Sequence, residues 1–165
     1  MRKGFTLIEI LIVVAIIAVL ASVVLVGLGP TQQAGRDSRR VADLHEVQSG
    51  IELYYNKCGF YPGTAACGPT VAESYATMAA ALQGAAIGVN SYPQDPAGGT
   101  VSYYYGENGT ATAGGTQYIV GATLENASGT AFKSYAAPSN YAAAWFASGN
   151  VPPHACAAPD FCLTI

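Results

Sequence analysis

The stretch Lys3–Val26, KGFTLIEILIVVAIIAVLASVVLV, decides how the rest of the chain is read. From Phe5 to Val26 it runs for 22 residues with a single charge, Glu9. As a helix at about 1.5 Å per residue it spans about 33 Å, the thickness of a hydrocarbon core. Lipid offers the backbone no hydrogen-bond partner, so a spanning segment here must be helical. Arg2 and Lys3 precede it and place the N-terminus on the cytoplasmic side. Glu9 is the anomaly. A charge at that depth costs roughly 3 kcal/mol unless something pairs with it.

Gly27, Gly29 and Pro30 follow at once, in GLGP. Proline removes a backbone donor and crowds the preceding turn, and glycine weakens a helix further. The helix therefore either ends here or continues through a soft point, a hinge at Gly27, Gly29 and Pro30. Beyond it, Val41, Leu44, Gln48, Ile51 and Tyr55 recur at spacings of 3 and 4. That pattern predicts one face of an amphipathic helix. Arg36, Asp37, Arg39, Arg40, Asp43, Glu46 and Glu52 cover the remaining faces, as a solvated surface or a subunit-contact strip.

Four segments organise the chain: a leader, 1–4; a hydrophobic transmembrane and assembly helix, 5–29; an amphipathic half of the same helix, 30–57; and a globular head, 58–165. In the head, Pro62, Gly63, Gly68 and Pro69 punctuate a loop. Val71–Ala85 reads as a short Ala-rich helix. Thr100–Glu107 and Thr116–Glu125 are rich in β-branched and aromatic residues. They are joined by NGTATAGG, which predicts an antiparallel hairpin. Phe132–Tyr135 is a candidate third strand, Tyr141–Ala147 a fourth strand or short helix, and the end a Pro-rich tail. Tyr103, Tyr104 and Tyr105 are expected to alternate, one side packed on the helix and the other facing solvent. The fold class is α+β, a long N-terminal helix packed on a small antiparallel sheet.

Composition narrows function. Only 10% of residues are charged, against about 25% in an ordinary soluble domain. The net charge is −3, and without Met1–Gly4 five positive side chains face ten negative ones, a balance of −5. Nucleic acid is thus not expected as a partner, because its binding rests on phosphate neutralisation. A DNA-binding role would need a local patch from Arg36, Arg39, Arg40 or Lys133. No phosphate-binding G-x4-G-K-[ST] loop occurs, and no nucleophile with an oriented base accompanies His45. Neither an enzyme nor a cofactor is expected. Asp95, Glu107 and Asn108 offer oxygens that suit calcium. No EF-hand spacing surrounds them, so exposed turn positions are the default and no metal is assigned. His154 beside Cys156 is the one other hint of a metal ligand.

Cys58, Cys67, Cys156 and Cys162 behind an export signal suggest disulfides. Three connectivities are possible, of which short-range pairing is the simplest. The spacings C-x8-C and C-x5-C suit neither a zinc ribbon nor a thioredoxin-like motif. Two sequons, at Asn108 and Asn126, lie in surface loops.

The head of the chain, KGFTLIEILIVVAIIAVLA, resembles the N-terminus of the type IV pilin and type II secretion pseudopilin superfamily. The similarity is close over Lys3–Ala21 and looser beyond. YPQDPAGGTVSYYYG followed by YIVGATLE is similar to a segment of major pseudopilins, and the paired-cysteine C-terminal loop to that of type IVa pilins. The resemblance implies a pilin-like fold and cleavage between Gly4 and Phe5 by a prepilin peptidase, with methylation of the new Phe5 amine. It implies an inner-membrane precursor, then a helical homo-oligomer at the cell surface or a periplasmic pseudopilus. Membrane and an assembly platform are then the remaining partners. Glu9 lies four residues beyond Phe5, about 6 Å along a helix. In a staggered bundle of parallel copies it can reach the Phe5 amine of a neighbour, and each buried charge is compensated only in the polymer. Ala15, Ala18, Ala21, Ser22 and Gly27 suit close helix packing.

Overall fold

In the computed structural model, described for residues 4–63, 66–68, 74–98, 103–109, 113–132 and 156–164, one helix dominates. Helix α1 runs from Leu7 to Cys58, 52 residues without interruption. Thr6 caps its N-terminus in a reciprocal box with Glu9. Gly59, at φ 82°, closes its other end, its N–H donating to the Tyr55 carbonyl at 2.8 Å. The left-handed conformation favours glycine there. Pro30 lies inside the helix, which continues through it rather than ending.

From Leu7 to Gly35 every described side chain is exposed; the first to be covered are Arg36 and Asp37. The head starts there. Its core is built on Leu44, Val47, Ile51 and Tyr54. The buried face thus differs from the expected one at two positions: Val47 and Tyr54 replace Gln48 and Tyr55. Gln48 is half-buried and Tyr55 is 37% exposed. The spacing of 3 and 4 is kept, with the stripe turned so that its apolar members face the sheet.

Helix α2, Tyr75–Gly84, is capped by Ser74, whose hydroxyl accepts from the Thr77 N–H, and buries Met78, Ala81 and Leu82. Strands β1, Tyr103–Glu107, and β2, Tyr118–Thr123, form the expected antiparallel hairpin, with Tyr105 opposite Val120. Of the candidate third strand Phe132–Tyr135 only Phe132 is described, where it closes a 3-10 turn, Thr130–Phe132; residues 133–135, like Tyr141–Ala147, lie outside the described residues. Among the described residues the tail supplies a third strand: β3, Asp160–Thr164, pairs antiparallel with β2, giving the order β1-β2-β3.

Disulfides join Cys58 to Cys67 and Cys156 to Cys162. The second bridge changes the reading of the tyrosine run. Tyr103 and Tyr105 face the main core, and Tyr104 faces the opposite side, yet all three are buried. Tyr104 packs with Ile119, Cys156 and Cys162, and its hydroxyl lies 3.1 Å from Cys162 Sγ. The tail and its bridge cover the side of the sheet expected to face solvent. The Tyr104 ring has room because Gly121 lies opposite it; a Cβ there would overlap the ring.

Candidate functional site: the assembly helix and its collar

The N-terminal site is a short arm leading into a bare helix. Thr6 is extended (φ −82°, ψ 151°), and Gly4 and Phe5 precede it as exposed, non-helical residues. Phe5 is 84% exposed, and nothing lies within 4 Å of a Cβ built on Gly4. The Gly4–Phe5 peptide bond is thus open to solvent. Met1–Lys3 of the leader lie outside the described residues.

Glu9 is held within its own chain. The Thr6 N–H and hydroxyl donate to its Oε2 at 2.8 and 2.7 Å, and the Glu9 N–H donates to Thr6 Oγ1. This satisfies two helix-terminal donors and places a negative charge at the positive end of the helix dipole. The arm also lengthens the separation of Phe5 from Glu9. If laid straight along the axis, an arm of two extended residues at about 3.3 Å each plus two helical ones at about 1.5 Å spans at most about 10 Å, against about 6 Å for a helix that starts at Phe5.

Beyond Glu9 the helix shows Ile, Leu and Val on all sides: Ile10, Leu11, Ile12, Val13 and Val14 are each more than half exposed. This is the one helix among the described residues that is long and apolar enough to cross a membrane. Such a surface needs lipid or other protein to cover it. Gly27, Gly29 and Pro30 lie in continuous helix, so the segment read as a hinge is helical in this state.

Where α1 enters the head, five charged side chains form a collar. Arg40 is 2% exposed. Its Nη1 reaches Asp37 Oδ1 at 2.8 Å and Glu125 Oε1 at 2.9 Å, and its Nη2 reaches Asp95 Oδ1 at 2.8 Å. Arg36 forks onto both oxygens of Glu125. Asp37 also accepts the N–H groups of Glu125 and Asn126, each at 2.9 Å. Hydrogen bonds from Arg36 and then Arg40 hold the Glu125 carboxyl down at about 2. Higher on the helix, the Tyr103 hydroxyl donates to Asp43 at 2.6 Å and that of Tyr118 to Glu52 at 3.1 Å. Burial pushes both phenols up, so they stay protonated donors.

Sequence reasoning placed Arg36, Asp37 and Arg40 on a solvated or subunit-contact surface; they are instead the joint between helix and head. Arg39 alone of that arginine group keeps its side chain in solvent, 66% exposed, 3.9 Å from Asp43. Lys133 lies outside the described residues. The oxygens considered for calcium are separately engaged. Asp95 receives Arg40 and the Ala97 N–H. Glu107 is buried and takes the Gly109 N–H. Asn108 Oδ1 takes the N–H groups of Thr116 and Gln117. Among the described residues no three His, Cys, Asp or Glu side chains gather as metal ligands. His45 is exposed, and His154 is outside the described residues.

Among the described residues, a long apolar helix projects from a head of one short α-helix and a three-stranded antiparallel sheet, a pilin-like architecture. Residues 1–25 match the family model described as "Prokaryotic N-terminal methylation motif". The chain is similar to "Type II secretion system core protein G" of Pectobacterium carotovorum subsp. carotovorum, at 33% identity over 63 residues, 38% of this chain and 40% of that protein. It is similar to the protein of the same name from Escherichia coli (strain K12), at 33% over 63 residues, 38% of this chain and 43% of that one. The chain thus matches about two fifths of the length of these curated relatives. No solved structure matches it.

Proposed function

We propose that this chain is a structural subunit, not an enzyme, of a type IV pilus-like helical filament. It is made as an inner-membrane precursor, cut between Gly4 and Phe5 by a prepilin peptidase, methylated on Phe5, and polymerised through α1 by a separate assembly platform. The observation that carries this reading is the exposed apolar helix with one carboxylate near its start. Bilayer covers that surface before assembly, and neighbouring helices cover it afterwards. The methylation motif at residues 1–25 supports the processing step.

Glu9 and the Phe5 amine act together as a register lock. Each is costly in an apolar surrounding, and each compensates the other between neighbouring copies. Gly27, Gly29 and Pro30 provide a helix segment that can stretch, since Pro30 already removes one of its hydrogen bonds.

A second reading, a major pseudopilin of a type II secretion system, is favoured by the similarity to two core G proteins. In that case the polymer stays in the periplasm and drives export. Intact-mass measurement of purified polymer, with imaging of cells at native expression, tests both. A mature chain starting at methylated Phe5 in long surface filaments supports the first reading. The same mature chain without surface filaments, with a protein-export defect on deletion, supports the second. An uncut Met1 in the polymer overturns both.

A further inference from the structure

We infer that a groove on the outer side of the head, between α1 and residues 89–93, is the seat for Arg39 of a neighbouring copy of this chain. The inference rests on the filament reading and adds a second contact to it. The groove has a volume of about 180 Å³ and is lined by Glu46, Gly50, Leu53, Val89, Tyr92 and Pro93 among others. Gly50 opens it: a Cβ there would come within 3.7 Å of the Tyr92 hydroxyl and 3.9 Å of Val89 Cγ2.

The lining describes its occupant. Leu53, Val89 and Pro93 are apolar, and Leu53 is 51% exposed. The Tyr92 hydroxyl oxygen is buried and has no hydrogen-bond partner among the described residues. Glu46 is exposed at the rim and makes no ion pair among the described residues. An apolar stem ending in a cationic donor fits all three features, stem on Leu53, charge on Glu46, donor to Tyr92.

The processed chain has five such side chains: Arg36, Arg39, Arg40, Lys57 and Lys133. Arg36 and Arg40 are held in the collar, and Lys57 donates to the Ala85 carbonyl. Arg39 and Lys133 remain; Lys133 lies outside the described residues, and Arg39 has its side chain mostly in solvent.

The stagger agrees. Arg39 and Glu46 are seven residues apart along α1. A parallel copy slid by about 10.5 Å brings its Arg39 level with Glu46. An arm straightened along the axis spans about 10 Å from Phe5 to Glu9, so in that conformation the same slide brings the Phe5 amine of that copy level with Glu9. One displacement satisfies both charge pairs.

The test is a charge exchange in cells expressing the full precursor, with membrane insertion of each variant checked. Arg39→Glu and Glu46→Arg should each lower polymer yield by about tenfold, the effect of one half-buried charge pair. The double variant should recover most of it. Gly50→Leu should leave the thermal melt of the detergent-solubilised subunit unchanged and still lower yield by filling the groove. A double variant no better than the singles overturns the inference. So does normal yield from Gly50→Leu, or loss from Lys133→Glu with normal yield from Arg39→Glu. Polymer that is abundant but insensitive to these changes removes this contact and leaves the filament reading intact; absence of wild-type polymer removes the filament reading itself.

Discussion

Arg40 on α1 and Asp95 in the loop before β1 meet inside the head, Nη2 to Oδ1 at 2.8 Å, across 55 residues of sequence. The contact ties α1 to the segment before β1, beside the core that Leu44, Val47, Ile51 and Tyr54 already share with the sheet. Removing one partner of a buried pair leaves the other charge uncompensated, typically at a cost of about 3–5 kcal/mol. Arg40→Ala strands both Asp37 and Asp95, so it should destabilise the head by about that amount. Chemical denaturation of the full chain in detergent, followed through tyrosine fluorescence, checks it; a midpoint within error of wild type contradicts the assigned role.

The collar also sets an acid response. The Glu125 carboxyl is lowered in the folded state to about 2 from an ordinary 4.5, by Arg36 first and then Arg40. A depressed carboxyl contributes stability that is fully present above its unfolded value and disappears as pH falls through the folded one. The melting temperature should therefore fall between about pH 5 and pH 2. Glu125→Gln should flatten part of that slope while leaving the melt near pH 7 lower than wild type. An unchanged slope would mean that Glu125 does not report on the collar.

Gly121 holds the second face of the sheet together by having no side chain. A Cβ at this position would overlap the Tyr104 ring. Gly121→Ala should cost about 1–3 kcal/mol through overpacking. Tyr104→Leu combined with Gly121→Ala should recover part of the loss, because the smaller side chain makes room. Non-additive melts of the single and double variants are the measurement.

The Cys156–Cys162 bridge closes a short loop of the tail. On the chain-entropy account a loop of this size is worth about 2 kcal/mol. The double variant Cys156→Ser, Cys162→Ser should lose about that much and expose Tyr104. Faster hydrogen exchange along β2 and β3, with α1 unaffected, is the expected signature.

Glu9→Leu removes the charge from the apolar helix. Membrane insertion should be retained and polymer yield should collapse, because the neighbour's Phe5 amine loses its counter-charge. Fractionation of membranes and counting of filaments separate the two effects. Wild-type yield from Glu9→Leu contradicts the register lock.

Much of this architecture is written in local pattern. The apolar run, its Thr6–Glu9 start and the 3–4 spacing of Leu44, Ile51 and their neighbours specify a long helix, and the β-rich segments around NGTATAGG specify a hairpin. Three features escape such reading for separate reasons. Tyr54 and Tyr55 are adjacent and chemically alike, so residue type does not say which of two positions about 100° apart on the helix is buried. Arg36, Asp37 and Arg40 show the same spacing as a solvated charged face, and only the distant Asp95 and Glu125 turn them inward. Strand β3 is five residues long, beside a Pro- and Ala-rich stretch, and its partner is about forty residues earlier in the chain.

Strand β3 also sets the order in which the subunit can be completed. β1 and β2 precede β3 in the chain, so β2 keeps an open edge until Asp160–Thr164 arrive. An uncovered edge invites pairing with any other strand nearby. A chain cut short before Asp160 leaves that edge of β2 uncovered. Closure of the sheet therefore waits on Asp160–Thr164, and with that strand comes the cover over Tyr104 and Ile119.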